Sequence, residues 1–264
     1  MNIIVCIKQV PDTIEVRMNK ETNTIVREGI ASIINPFDTY AVEESIRIKE
    51  KLGGEVTVIS MGIPSVEDLL REAIALGADQ GVLLSDKAFA GSDTLATAYA
   101  LSMGVRKVGQ FDLIICGKQS TDGDTAQVGP SLAEKLGIPH TTNVRRIEEI
   151  RDGYIRCQRM NDDGYEIVEM SLPAVITVIK EINHPRLPSI KGIMRAKQVP
   201  VHVWNALDVN ADKALCGLNG SPTQVVETFV PTHDVNAEMI QGNAGQQAKK
   251  LVDKLLSMQL PIFR

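Results

Sequence analysis

One stretch concentrates residues able to do chemistry: Cys116-Gly-Lys-Gln-Ser-Thr-Asp-Gly-Asp-Thr-Ala-Gln-Val-Gly129. It follows an apolar run, residues 111–116, and leads into a helix-like segment, residues 126–136. Glycine lets backbone approach a ligand closely, and hydroxyls and helix N-terminal amides are phosphate donors. Open α/β sheets hold nucleotides at such strand-to-helix turns. The spacing matches neither the GxGxxG fingerprint nor the GxxxxGK[ST] phosphate loop. Asp122 and Asp124 repel phosphate, so they suit helix capping or ribose hydroxyls. The amides and hydroxyls of Ser120, Gly123 and Thr125 are left for phosphates.

Other short turns carry similar groups: Cys6-Ile-Lys8, Ser60-Met-Gly62 and Ser85-Asp86 at strand ends, and Asn35-Pro-Phe-Asp38 and Gly91-Ser-Asp-Thr94 before helices. A ligand touching several of them has dinucleotide size. The plain alternative is that Ser, Thr, Asp and Gly in such places only cap helices. Lys8 either reaches a phosphate or is an ordinary strand-end lysine. No nucleophile elbow, HExxH or paired-acid signature occurs. His140, His184, His202 and His233 all fall in the second half and read as surface or loop residues. No catalytic residue and no metal ligand is assigned, so the bound group must carry the chemistry.

Composition removes other classes. The net charge is -5 and aromatics are 4% of 264 residues, which disfavours nucleic-acid binding. Cys6, Cys116, Cys157 and Cys216 are far apart, with no CxxC pair, and fit a reducing cytosol. No run approaches the ~20 apolar residues that span a bilayer. The first residues read as a strand rather than a leader, so the expected location is cytoplasmic and off the membrane.

These turns need a scaffold. Residues 2–7, 55–60, 81–84 and 112–116 read as strands, alternating with helices over 37–52, 65–76, 94–105 and 126–136. Asp38 is placed to cap the first helix. Successive strand–helix units imply an α/β, doubly wound, mainly parallel sheet. Residues 154–159 and 166–171 flank Met160-Asn-Asp-Asp-Gly-Tyr165, a hairpin signal, and 174–178 reads as a buried strand. Residues 183–200 read as a proline-bounded loop without regular structure, and 243–258 as an amphipathic helix. The expected division is a nucleotide-binding domain, 1–204, followed by a C-terminal arm, 205–264.

With these residues in place, the chain resembles the β subunit of electron-transfer flavoproteins over essentially its whole length. The resemblance rests on Val5-Cys-Ile-Lys-Gln-Val-Pro-Asp12, Asn35-Pro-Phe37, Ala75-Leu-Gly-Ala-Asp79, and Gly117-Lys-Gln-Ser-Thr-Asp-Gly-Asp124 with Gln127. Residues 166–178 with Leu172-Pro-Ala-Val175, and Asn183-His-Pro-Arg186 through Ile193-Met-Arg-Ala-Lys197, complete it. It implies an adenine-nucleotide-binding α/β fold and a heterodimer with an α subunit that carries a redox-active FAD. The implied nucleotide pocket comprises Cys6, Asn35, Pro36, Phe37, Asp38 and Met61. It also takes in Gly117, Lys118, Gln119, Ser120, Thr121, Asp122, Gly123, Asp124, Thr125, Ala126, Gln127 and Val128. Ordinary members hold structural AMP there, whereas electron-bifurcating members hold a second FAD reduced by NADH. The chain looks like the bifurcating kind, because Ser85-Asp86 and Gly91, Ser92, Asp93 and Thr94 resemble the segment along the flavin end. The resemblance also implies docking of a flavin-dependent dehydrogenase, of acyl-CoA, enoyl-CoA or lactate type, through Ile190 flanked by Pro188 and Met194. Ferredoxin or flavodoxin is the implied low-potential acceptor, and the C-terminal helix is expected to pack on the α subunit. A stand-alone ATP-using enzyme of this fold is disfavoured, because Gln9-Val-Pro-Asp12 stands where an ATP-cleaving loop would follow the first strand.

Overall fold

The computed structural model describes residues 1–12, 18–19, 24–25, 31–151, 153–227 and 237–258. One sheet is built from β1 (Asn2–Cys6), β2 (Glu55–Met61), β3 (Gln80–Leu84), β4 (Leu113–Gly117), β5 (His140–Arg151), β6 (Tyr154–Asn161), β7 (Gly164–Ser171), β8 (Ala174–Val178) and β9 (Val201–Trp204). Their spatial order is β7-β6-β5-β8-β4-β1-β2-β3-β9. From β5 through β9 every neighbouring pair is parallel, while β6 is antiparallel to both of its neighbours.

Both faces are covered, which is why the central strands are apolar throughout. Ile3, Val5 and Ile7 point into one core with Ala41, Val42 and Ile46 of α1 (Pro36–Leu52) and Leu70, Ala73 and Ile74 of α2 (Glu67–Leu76). Ile4 and Cys6 point into the other, with Ala100, Leu101 and Val105 of α3 (Thr94–Val108) and Leu132 and Ala133 of α4 (Val128–Leu136). The sheet is therefore doubly wound, as expected. From β1 the chain steps to β2 and β3 on one side, then returns to place β4 on the other side of β1. The crevice between the carboxyl ends of β1 and β4 is the topological switch point, where α/β sheets bind ligands.

Several expectations need correction. Asp38 does not cap α1: the N-cap is Asn35, and Asp38 lies buried inside the first turn. The fourth helix begins at Val128 rather than Ala126, because Ala126 has φ +56°, outside the helical region. Residues 183–200 are not wholly irregular. Ser189 accepts a hydrogen bond from the Gly192 amide and starts α5 (Ile190–Ala196). The chain then adds β9 beside β3 as a parallel edge strand.

The chain divides into compact units Met1–Val226 and Glu227–Arg264. In the second, Asn243 and Gln246 form a capping box that opens α6 (Ala244–Ser257). Among the described residues, no helix is long and apolar enough to cross a membrane.

Candidate functional site

The loop after β4 is stitched to the end of β1 by side chains from the start of α1. The Asn35 side chain donates to the Gln119 carbonyl at 2.8 Å and accepts the Thr121 amide at 3.1 Å. Asp38 accepts the Lys8 amide at 2.8 Å and the Gly117 amide at 3.2 Å. Lys118 donates its amide to the Val178 carbonyl of β8 at 2.9 Å. Asp124 donates its amide to the Ser120 carbonyl, and the Gln119 side chain donates to the Asp124 carboxylate. The loop is thus fixed from below while residues 121–125 stay exposed.

Two glycines are required by contact. A Cβ at Gly117 would lie 2.3 Å from Asp38 Oδ1 and 2.7 Å from the Phe37 carbonyl carbon. A Cβ at Gly129 would lie 2.4 Å from Thr177 Cγ2, so Gly129 lets α4 press its N-terminus onto β8. The amides of Val128 and Gly129, in the first turn of α4, have no intrahelical partner. Asp124 (φ +53°) and Ala126 (φ +56°) turn the backbone left-handed just before them, the type of backbone that forms anion-binding nests. Gln127 is the exposed N-cap, its carbonyl taking the Ser131 amide, and Val128 is half-buried.

Lys8 ammonium bonds Asp122 at 2.6 Å, with Ser120 Oγ 3.4 Å away. Burial would raise the Asp122 carboxyl, but the Lys8 hydrogen bond and charge outweigh it and leave Asp122 below its ordinary range. The pair is partly exposed and carries little stability. Its consequence is that Asp122 holds Lys8 against the exposed loop. Beneath it, Cys6 and Cys116 stand in register on adjacent strands. The Cys116 thiol is held well above its usual value by its hydrogen bond with Cys6 and by burial, so it is a protonated packing group. Pro36 is exposed and Phe37 half-buried beside Gly117, and Met61, at the end of β2, packs on the α3–α4 core.

The turn after β3 is built differently. Asp93 caps α3 by accepting the Leu95 and Ala96 amides at 3.0 and 3.1 Å, and it also accepts the Thr223 amide and hydroxyl at 3.1 and 2.8 Å. Its own amide donates to Ser221 Oγ, and Ser92 Oγ accepts the Gly217 amide. A Cβ on Gly91, at φ +75°, would meet Leu218 at 2.7 Å. Residues 217–223 therefore form a strap across Gly91, Ser92 and Asp93 that nothing in the local sequence announced. The expected residues around β1, α1 and β4 come together by direct hydrogen bonds. The turn at Gly91–Thr94 instead bonds to the strap, about three strand spacings, or ~14 Å, along the same edge.

A cleft of about 810 Å³ opens elsewhere, between the second half of α1 and the far part of β5. Arg47, Lys51, Arg145 and Arg146 share it with Glu44, Glu148 and Glu149. Its charges are mixed and converge on no single ligand group. The switch-point loop fits a nucleotide better, having free first-turn amides, hydroxyls, an adjacent lysine and glycines held in close contact.

The segment proposed for docking is strongly exposed: Ile190 is 83% exposed and Met194 56%, with Pro188 also exposed. Leu187, the apolar residue directly before Pro188, is 89% exposed as well. Arg186 anchors the segment on α1 through Glu43 at 2.8 Å and Glu50 at 2.6 Å. Helices α2 and α5 cap each other. Arg195 donates to the Ile74 carbonyl at 2.9 Å, and Arg71 donates to the carbonyls of Ala196 and Val199 at 2.8 and 3.2 Å.

Residues 22–209 match the family model described as the electron transfer flavoprotein domain. The chain is 53% identical over 258 residues to the electron transfer flavoprotein subunit beta of Thermoanaerobacterium thermosaccharolyticum, covering 97% of this chain and 98% of that one. It is 46% identical over 257 residues to the caffeyl-CoA reductase-Etf complex subunit CarD of Acetobacterium woodii, covering 97% and 98%. To protein FixA of Azorhizobium caulinodans it is 42% identical over 267 residues, covering 98% and 95%.

Proposed function

The chain belongs to the electron transfer flavoprotein family as a β subunit, and on that premise we propose that it is the nucleotide-holding subunit of a cytoplasmic, electron-bifurcating heterodimer that binds FAD at the carboxyl edge of the sheet. When bound, FAD would supply the redox chemistry, taking hydride from NADH and sending one electron to ferredoxin or flavodoxin and the other through the α-subunit FAD to a partner dehydrogenase. The observation that carries this reading is the order of polar turns along one edge. The ends of β4, β1, β2 and β3 lie side by side, over a length that suits a dinucleotide.

The chain's own residues divide the work. Ser120, Gly123, Thr125 and the first-turn amides of α4 meet phosphate, Lys8 supplies positive charge, and Asn35 holds the loop through Gln119 and Thr121. Gly91 to Thr94 face the redox end. Leu187, Pro188, Ile190 and Met194 offer an exposed apolar patch for the dehydrogenase. A relative named as a subunit of a caffeyl-CoA reductase-Etf complex favours a partner acting on CoA esters over the lactate type.

A second reading, structural AMP with docking but no bifurcation, is favoured by the strap: Ser92 and Asp93 already bond to residues 217, 221 and 223. Purification with the α subunit and a count of nucleotides separates the two. Two FAD per heterodimer supports the first reading, and one FAD with one AMP refutes it. Leu187→Ala and Ile190→Ala should each slow electron delivery to the dehydrogenase and leave flavin reduction by NADH unchanged. Equal losses in both rates would refute the docking role.

A further inference from the structure

We infer that Asp38 is a positioning residue for the nucleotide site: one buried carboxylate holds the ends of β1 and β4 together and sets the mouth of the switch-point crevice. This inference rests on the adenine-nucleotide reading above. The sheet ladder joins the two strands in register as far as Cys6 and Cys116. Past those residues the two strands no longer pair: β1 ends at Cys6, and β4 runs one residue further to Gly117 beside Val178 of β8. There Asp38, 6% exposed, takes over as the cross-link, with Oδ2 accepting the Lys8 amide at 2.8 Å and Oδ1 the Gly117 amide at 3.2 Å. The fit is close enough that a Cβ on Gly117 would fall 2.3 Å from Oδ1. With both oxygens engaged by backbone amides, Asp38 acts on a ligand through Lys8 and Gly117.

The same geometry makes the cross-link sensitive to a proton. Burial pushes the Asp38 carboxyl up to about 7, against the pull of its hydrogen bonds with Asn35 and with the Lys8 and Gly117 amides and of the Lys8 ammonium. The other titratable groups around it are the thiols of Cys6 and Cys116 and the Asp122 carboxylate paired with Lys8. A proton on either oxygen makes that oxygen a poorer acceptor for its amide, so one strand end is loosened. The signs for folding and binding then differ. The folded value lies above the ordinary carboxylate value, so the contribution of Asp38 to stability is complete below 3.8 and is lost as pH rises through about 7. Nucleotide binding needs the ionised cross-link and weakens as pH falls through the same point. A residue that served the fold alone would not produce this opposition.

The test uses the heterodimer with its α subunit, stripped of β-bound nucleotide, with FAD and AMP as separate probes titrated by calorimetry from pH 5.5 to 8.5. In the wild type, Kd should rise below pH 7 with a limiting slope of roughly tenfold per pH unit, the slope of one-proton linkage. Asp38→Asn should bind more weakly at pH 8 and lose that slope. Phosphate monoesters such as AMP titrate near pH ~6, a contribution common to both proteins, and the FAD pyrophosphate adds none. Lys8→Met should move the midpoint upward. Identical pH profiles for wild type and Asp38→Asn, or binding that tightens in acid, overturn the inference. If Asp38→Asn does not assemble, a flat wild-type FAD profile overturns it alone. If the wild type binds neither probe at any pH, the nucleotide reading itself fails, and this inference with it.

Discussion

After β4, Asn35 fastens the loop at Gln119 and Thr121 while residues 121–125 stay exposed; after β3, Ser92 and Asp93 turn inward to the chain's own residues 217, 221 and 223. Both turns are rich in Gly, Ser, Asp and Thr. The difference lies in where the hydrogen-bond capacity goes. In the first, side chains from elsewhere hold the loop by its backbone and leave hydroxyls and helix amides for a ligand. In the second, the turn's own side chains are occupied, so a ligand there must fit around the strap or displace it. The loop after β4 is held in place with donors to spare, and the turn after β3 is closed by a piece of the same chain.

Gly117→Ala attacks the first region hardest. The new methyl meets a buried carboxylate and the Phe37 backbone, so a loss of about 1–3 kcal/mol is expected. Thermal melting and nucleotide retention should fall together. Asp93→Ala attacks the second. It removes the α3 cap and the Thr223 bonds, a loss of about 0.5–2 kcal/mol in denaturant unfolding. AMP affinity should hardly change, and an AMP loss as large as that of Gly117→Ala would erase the distinction between the regions. Thr223→Val removes only the hydroxyl bond to Asp93, about 1 kcal/mol. If the strap competes with a flavin, this variant should gain FAD affinity relative to AMP in paired titrations. Lys8→Met removes a half-exposed ion pair and should cost at most ~1 kcal/mol of stability, less at high salt. Its larger effect should be on nucleotide affinity, and an unchanged affinity would make Lys8 an ordinary strand-end lysine.

The parallel core was readable because buried strands and amphipathic helices leave strong local patterns: Ile3 to Ile7 and Leu113 to Cys116 are apolar throughout, and α1 repeats its buried positions at helical spacing. Strand β5 was missed because its second half, Arg145-Arg-Ile-Glu-Glu-Ile-Arg151, is mostly charged. It is held by its ladder with β6 and by Ile147 and Ile150, half-buried against the core. Strand β9 is four residues long and pairs with β3 across more than a hundred residues, which no local signal reveals. Helix α5 is short and follows two prolines, so only the Ser189 cap marked it. In the candidate site, glycines and hydroxyls single out the loop after β4. The two hydrogen bonds accepted by Asp38, the close approach at Gly117 and the strap all depend on residues 30 to 130 positions apart in sequence, a scale on which residue type alone carries no geometry.

The mutual capping of α2 and α5 has a geometric consequence. Helix α2 runs back from the end of β2 to the start of β3, so its C-terminus, where Arg195 reaches Ile74 and a Cβ on Gly192 would strike the Ala75 carbonyl, lies at the amino rim of the sheet. The carboxyl edge that carries the candidate site is the opposite rim, one strand length away, or ~17 Å for five residues. A partner bound at α5, as proposed, would therefore sit at the rim opposite the candidate site. Occupation of α5 would then leave the carboxyl-edge loops uncovered, so binding at one rim should not by itself block binding at the other.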